Sequence, residues 1–358
     1  MGRMASGIWA GVLGFAATAL WAAGLGAQEV HRVPGERVAI YNLAGRVEVV
    51  AGSGPDVVVR LTRGGGDAER RRVETGPIGG RNMLRVIYPD TEIIYADRTR
   101  RSGRGGRFQS DVRVRPDGTF GDGGRGGERV TVQNRGSGLE AWADLRIEVP
   151  AGRSVEVHAA VGDADVRAVE GAIRVVVGSG AVTAAGVRGA LSIDTGSGSV
   201  TVSDVEGELD VDTGSGAVQL RGVRGASVMV DTGSGSVRGS DITSPSLHVD
   251  TGSGGIRLDR VSSPQVVLDT GSGAVDIELL DRVDELLIDT GSGSVTLYLP
   301  PDVGAEIAAE TGSGGIDVEV PVQIRSVKRD SLVGRIGDGR GRIAIDTGSG
   351  SIRLLAAR

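Results

Sequence analysis

Residues 189–206 read GALSIDTGSGSVTVSDVE, and this stretch decides the fold. Leu191 and Ile193 alternate with Ser192, and after the Gly-rich corner Val200 and Val202 alternate with Thr201. Alternation of period two on both sides of a Gly corner predicts two short strands, each with one buried face. A helix is excluded, because runs of Gly and β-branched residues oppose it. Val205 supplies a third apolar position before Gly207 opens the next copy.

The stretch repeats. The tetrapeptide TGSG starts at Thr195, Thr213, Thr232, Thr251, Thr270, Thr290, Thr311 and Thr347, preceded by a degenerate copy at Val177. The spacings are 18, 18, 19, 19, 19, 20, 21 and 36 residues, so the last interval reads as one period plus an insertion at 321–341. Apolar residues recur at the same places. The first strand has pairs such as Leu209/Val211, Val228/Val230 and Leu247/Val249, and the third position is Val223, Ile242 and Val261. Three inward sites per copy fit one coil of a β-solenoid, which cannot bury its apolar side until neighbours stack on it. The predicted fold is therefore all-β: a parallel β-solenoid (β-helix) of ~19-residue coils, about 4.8 Å apart. Nine such coils are expected.

Composition narrows the function. The chain has 358 residues, of which 61 are Gly and none is Cys, with 3 His and 3% aromatics. A disulfide scaffold, a Cys-ligated metal and a Cys nucleophile are all excluded. The net charge of −6 argues against nucleic-acid binding by the whole chain. Residues 1–27 have the pattern of a secretory signal peptide: Arg3, an apolar stretch from Gly7 to Leu25, and small residues before Gln28. Export to the periplasm, outer surface or medium is the expectation, with retention of the segment as an anchor the alternative.

The remaining regions are a β region at 28–94, a Gly/Arg-rich stretch at 95–138 expected to be a disordered loop, and the array at 139–358. From Arg98 to Arg129 that stretch holds nine Arg against four acidic residues, so an acidic envelope glycan is its natural ligand if it binds anything.

Asn42–Val50 (NLAGRVEVV), Leu145–Gly152 (LRIEVPAG), the DTGSGxV array and the ending Gly337–Gly350 together carry a resemblance. The chain resembles a bacterial family of exported β-strand-repeat proteins, a domain of unknown function labelled adhesin by analogy. The likeness spans residues 36–63 and about 140–358. It implies a tandem-repeat architecture and brings no catalytic residues with it.

Candidate sites follow from the repeat. Gly196, Gly198, Gly214, Gly216, Gly233, Gly235, Gly252, Gly254, Gly271, Gly273, Gly291 and Gly293 are the corner formers, and positive φ is the expected reason for Gly. Asp194, Asp212, Asp231, Asp250, Asp269, Asp289 and Asp346, with Glu310 once in their place, precede the corners. Each is expected to accept the N–H two residues on in an Asx-turn. In-register stacking puts these carboxylates roughly 5 Å apart, a repulsion of about 3 kcal/mol per pair at an effective dielectric of about 20. Turn donors are expected to offset it, with a row of Ca²⁺ as the alternative. Leu287–Ser292 (LIDTGS) also looks like the aspartic-protease signature. That enzyme needs two such loops facing each other, whereas seven copies in register suit stacking.

Outward on the first strand, Met229, His248, Val267, Leu287 and Ala308 form an apolar stripe. Such stripes mark contact surfaces, unless the 321–341 insertion or the N-terminal region covers them. His31, His158 and His248 are too dispersed to make a ligand set. The expected function is an exported non-catalytic module, adhesive or structural, in the cell envelope, with self-association through the last coil. A carbohydrate-active enzyme on a β-helix scaffold and an envelope sensor or scaffold component are the alternatives. No cofactor beyond Ca²⁺ is expected.

Overall fold

The computed structural model describes residues 28–96, 108–121 and 126–357. The signal-peptide expectation at 1–27, and the Gly/Arg runs at 97–107 and 122–125, lie outside the described residues. The rest is a flattened parallel β-solenoid. Each coil gives one strand to a 15-stranded sheet, here sheet I, and one to a 14-stranded sheet, sheet II. In the copy quoted above, Leu191–Ser197 belongs to sheet I and Val200–Glu206 to sheet II.

Stacking is in register along the array, apart from one irregularity between Leu258 and Val261 where Ile256–Ser262 meets Val275–Leu279. Leu191 lies beside Leu209, Val228, Leu247, Val266 and Leu286 in turn, and Val200 beside Val218, Val237, Ile256, Val275 and Val295. These rows, and the third row of Val205, Val223, Ile242 and Val261, are buried between the sheets. Full burial of one such side chain is worth about 1.5–3 kcal/mol, and it is realised only when a coil has neighbours. The corner before the third row needs a left-handed residue. It is Ala168, Gly186, Asp204, Gly222, Asp241 or Arg260 in successive coils, with φ between 52° and 67°.

The array begins earlier than residue 139. Arg37–Ala44 pairs in parallel with Arg153–Val161, and Val47–Ala51 with Ala164–Arg167, so residues 37–51 form the first coil. Gly45 takes the corner there without a TGSG around it. Residues 52–152 are an excursion that caps this end. Val57–Gly64, Gln28–Val33 and Trp142–Val149 extend sheet II, while Arg81–Ile87 and Arg72–Ile78 extend sheet I.

The Gly/Arg-rich stretch is not a loop throughout. Gln109–Val114 and Glu128–Gln133 pair antiparallel and join Glu92–Ile94 and Leu139–Glu140 in a separate four-stranded sheet. Alternating Val130 and Val132, with Phe120, give it a buried face that overrides the polar composition.

The far end differs too. The coil of Thr290 is followed in space by Gly341–Thr347 and Ile352–Ala356, and only then by Ala305–Thr311 and Ile316–Val318. The coil later in the chain intercalates between two earlier ones, and among the described residues eleven coils stack where nine were expected, the two extra being residues 37–51 and 153–167. It is therefore not the exposed end from which self-association was expected. Ser331–Ile336 then pairs antiparallel with Ala305–Thr311, and Gln323–Val327 with Ser331–Ile336. The insertion thus extends the edge of sheet I and does not fold over its face.

Candidate functional site

All twelve predicted corner glycines sit in two ladders along one edge of the solenoid, but positive φ is not the reason. None has a φ in the left-handed region. The coils approach too closely for a side chain. A Cβ on Gly216, Gly235 or Gly293 would lie 1.7 Å from the carbonyl oxygen of the glycine one coil below, and one on Gly198 or Gly254 1.8 Å. For Gly196, Gly214, Gly233, Gly252, Gly271 and Gly291 the distance is 2.4–2.7 Å.

The Asx-turn is replaced by a threonine staple. The Thr213 hydroxyl accepts the N–H of Gly216 at 3.1 Å, and the same bond recurs at Thr232, Thr251, Thr270, Thr290, Thr311 and Thr347. The hydroxyl then donates to the corner carbonyl of the coil below, as from Thr270 to Gly254 at 2.9 Å. The N–H expected to reach Asp212, that of Gly214, instead bonds to the Thr195 carbonyl at 3.0 Å. Thr195 itself stacks on Val177 of the degenerate copy, and its buried hydroxyl has no partner among the described residues.

Freed from the turn, the carboxylates form a lane on the outer face of sheet I. Asp194, Asp212, Asp231, Asp250, Asp269, Asp289, Asp346 and Glu310 stand in register, in that order. Partial burial and the flanking carboxylates push Asp212 and Asp289 above the ordinary carboxylate range. Arg174 partly neutralises one end, 3.7 Å from Asp194. The candidate Ca²⁺ ligands make a line, not a cage: among the described residues no group of three or more His, Cys, Asp or Glu converges to hold a metal ion.

The apolar stripe runs beside this lane. Its order is Met229, His248, Val267, Leu287, Ala344, Ala308 and Val333. Ala344 was missed because the two last coils were expected in chain order. Met229 is 49% exposed and Val333 38%. Phe120 and Gly121, which follow the strand Gln109–Val114 of the four-stranded sheet, lie against Tyr41, His158 and Val176 of the first coils instead. Among the described residues, neither covering element expected from the sequence shields the stripe.

Comparison with known proteins agrees with this architecture. Residues 189–355 match the family model described as Toastrack DUF4097, a domain of unknown function. That segment spans the coils whose corners run from Thr195 to Thr347, so the repeat array is similar to a Toastrack β-solenoid. Among solved structures, a "putative cell adhesion protein" from Clostridium sporogenes ATCC 15579 is 10% identical over 92% of this chain and 99% of that chain, with a TM-score of 0.22. At that TM-score the likeness carries no argument. No curated protein matches the chain.

Proposed function

We propose that this protein is an exported, non-catalytic binding rod, an adhesive or structural module of the cell envelope. The observation that carries the reading is the outer face of sheet I, where an apolar lane, exposed at Met229 and half-buried at His248, Val267 and Leu287, runs beside a carboxylate lane. An apolar stripe on an outer sheet face marks a contact site. The regular repeat matches a partner that is itself extended. An enzyme on such a scaffold would hold two carboxylates across a cleft, whereas these stand in one line on one face.

The test uses a double variant, Val267→Ser with Leu287→Ser, both outward on the stripe. The protein lacking residues 1–27 is expected to co-sediment with purified envelope fragments. The variant should lose that binding while its melting temperature stays unchanged. A variant that melts lower and still binds would make the stripe a packing surface and overturn the proposal.

A further inference from the structure

The two ends of the rod are finished differently. Residues 52–152 cap the N-terminal end, where the outermost strand of sheet I, Arg72–Ile78, carries Pro77, which has no N–H to offer a neighbour. At the other end sheet II stops at Ile316–Val318, whereas sheet I runs on for two more strands, Ser331–Ile336 and then Gln323–Val327. At about 4.8 Å per strand, sheet I overhangs its partner by roughly 10 Å. The inner row is less protected there. Ile352 and Leu354 are fully buried, but Ile316 and Val318, one coil further out, are only half-buried.

Gln323–Val327 forms the lip of this overhang. All five residues are exposed, and among the described residues no strand pairs with its outer edge. Ile324 is 56% and Val327 61% exposed, more than any other large apolar side chain described. In a regular strand, residues three apart point to opposite faces. Here an irregularity between Ile324 and Ser326 takes up Arg325 as an extra residue, so that Ile324 stands opposite Gly334 and Val327 opposite Leu332. Opposite residues share a face, and Leu332 is buried on the inner one. Ile324 and Val327 are therefore both presented on the inner side, beyond the point where sheet II has ended.

An open edge of this kind is a template for another chain, and charged side chains are the usual shield. Arg325 does not shield this one. Glu306 draws its guanidinium to the outer face, at 2.7 Å, and holds Arg335 there as well. The rest of Gln323–Val327 is uncharged.

The strand is complementary to itself. With a two-fold axis between Arg325 and Ser326, antiparallel pairing sets Ile324 against the partner's Val327, and Val327 against the partner's Ile324. Gln323 then faces the partner's Lys328, and Arg325 faces the partner's Ser326, so no like charges meet. An axis through Arg325 would oppose two guanidiniums, and an axis through Ser326 would set Ile324 against the partner's Lys328. Only the first arrangement joins apolar side chains on one face, and a two-fold contact closes with two copies.

We propose that Gln323–Val327 is a dimerisation edge, pairing antiparallel with the same strand of a second copy so that two rods join tail to tail through a continuous sheet I. The protein lacking residues 1–27, which retains every described strand, is followed by sedimentation velocity up to about 1 mM, where even millimolar association registers. A monomer–dimer equilibrium is expected. Ile324→Glu with Val327→Glu, both at exposed positions, should weaken it at least about tenfold, since like charges then face each other across the pairing. The melting temperature of the dilute protein should stay unchanged. The chain has no Cys, so cross-linking reads the register directly. An oxidised mixture of Ile324→Cys and Val327→Cys chains should form disulfide dimers. Either variant alone should form few, because its two sulfurs are then offset by three residues, roughly 10 Å along the strand. The stripe variant should dimerise as wild type, which keeps this edge separate from the proposed envelope face. Three results would each overturn the inference: a monomer at every concentration, which would leave the edge to a different partner; unchanged association of the double Glu variant; or cross-links as abundant in the unmixed samples.

Discussion

The hydroxyl of Thr251 donates to the carbonyl oxygen of Gly235, one coil below, at 2.9 Å, and accepts the N–H of Gly254 from its own coil at 3.0 Å. One buried side chain thus satisfies two backbone groups belonging to different coils. Thr251→Val keeps the shape and strands both groups, so it should cost about 2–6 kcal/mol, at roughly 1–3 kcal/mol per unsatisfied buried group. Thr251→Ser should recover most of that. Urea denaturation of the two variants checks the staple, and equal stabilities would count against it.

The corner glycines make a sharper prediction. Gly254→Ala would put a methyl 1.8 Å from the Gly235 oxygen, and the backbone there can yield only by separating the coils. The loss should exceed about 3 kcal/mol, in the range reserved for core disruption. Gly315→Ala meets nothing within 4 Å and should be silent. Thermal melts of both variants decide whether close approach is the constraint.

The carboxylate lane sets a pH dependence. Asp212 and Asp289 have folded-state pKa values above the ordinary 3.8, because of burial first and neighbouring carboxylates second. The folded state then binds protons more tightly than the unfolded one, so these two groups favour folding as pH falls from the raised value towards 3.8. At neutral pH they are a net penalty. Asp212→Asn with Asp289→Asn should raise stability at pH 7 by a few tenths of a kcal/mol per site, since solvent screens such exposed groups. The gain should shrink with added salt and vanish below pH 3.8. Melting curves across pH test both the sign and the window.

Arg71 is 2% exposed, and its three guanidinium nitrogens lack hydrogen-bond partners among the described residues. Burial holds its pKa below the usual value. Arg71→Met preserves most of the packing and removes the buried charge, so a gain of about 1–3 kcal/mol is expected. A shift of the urea midpoint to lower concentration would show that the charge is compensated.

Ala168 occupies a left-handed corner at φ 52° where other coils use Gly186 or Gly222. Ala168→Gly should stabilise by about 0.5–1 kcal/mol, the conformational cost offset by glycine's greater freedom. Gly186→Ala should cost a similar amount, because its Cβ would meet only ordinary contacts at 3.7 Å. Paired denaturation curves separate backbone strain from crowding.

The period, the inward rows and the outer stripe were legible because each follows from a short alternating pattern that recurs every 18–21 residues. Gly45 was overlooked because its coil lacks the tetrapeptide, although it stacks under Gly162 like any other corner. Asp was assigned the turn because its carboxylate is the usual local acceptor. Stacking brings a carbonyl beneath each Thr, and that non-local partner wins. The order of the last two coils could not be read, since the copies at Thr311 and Thr347 are locally equivalent. The grouping of Tyr41, Arg81, Arg115 and His158 was invisible for a different reason: they meet only once residues 52–152 have folded back on the first coil.

The intercalated coil bears on how the rod is completed. A chain released from its N-terminus delivers Ala305–Val318 before the residues that must separate it from Glu285–Leu299. Growth in chain order would seat Thr311 over Gly293, a place that Thr347 fills in the finished molecule. Assembly must therefore hold a berth open, or vacate one, until residues 341–356 arrive. The spatial order of the coils at this end thus departs from the order in which the chain supplies them.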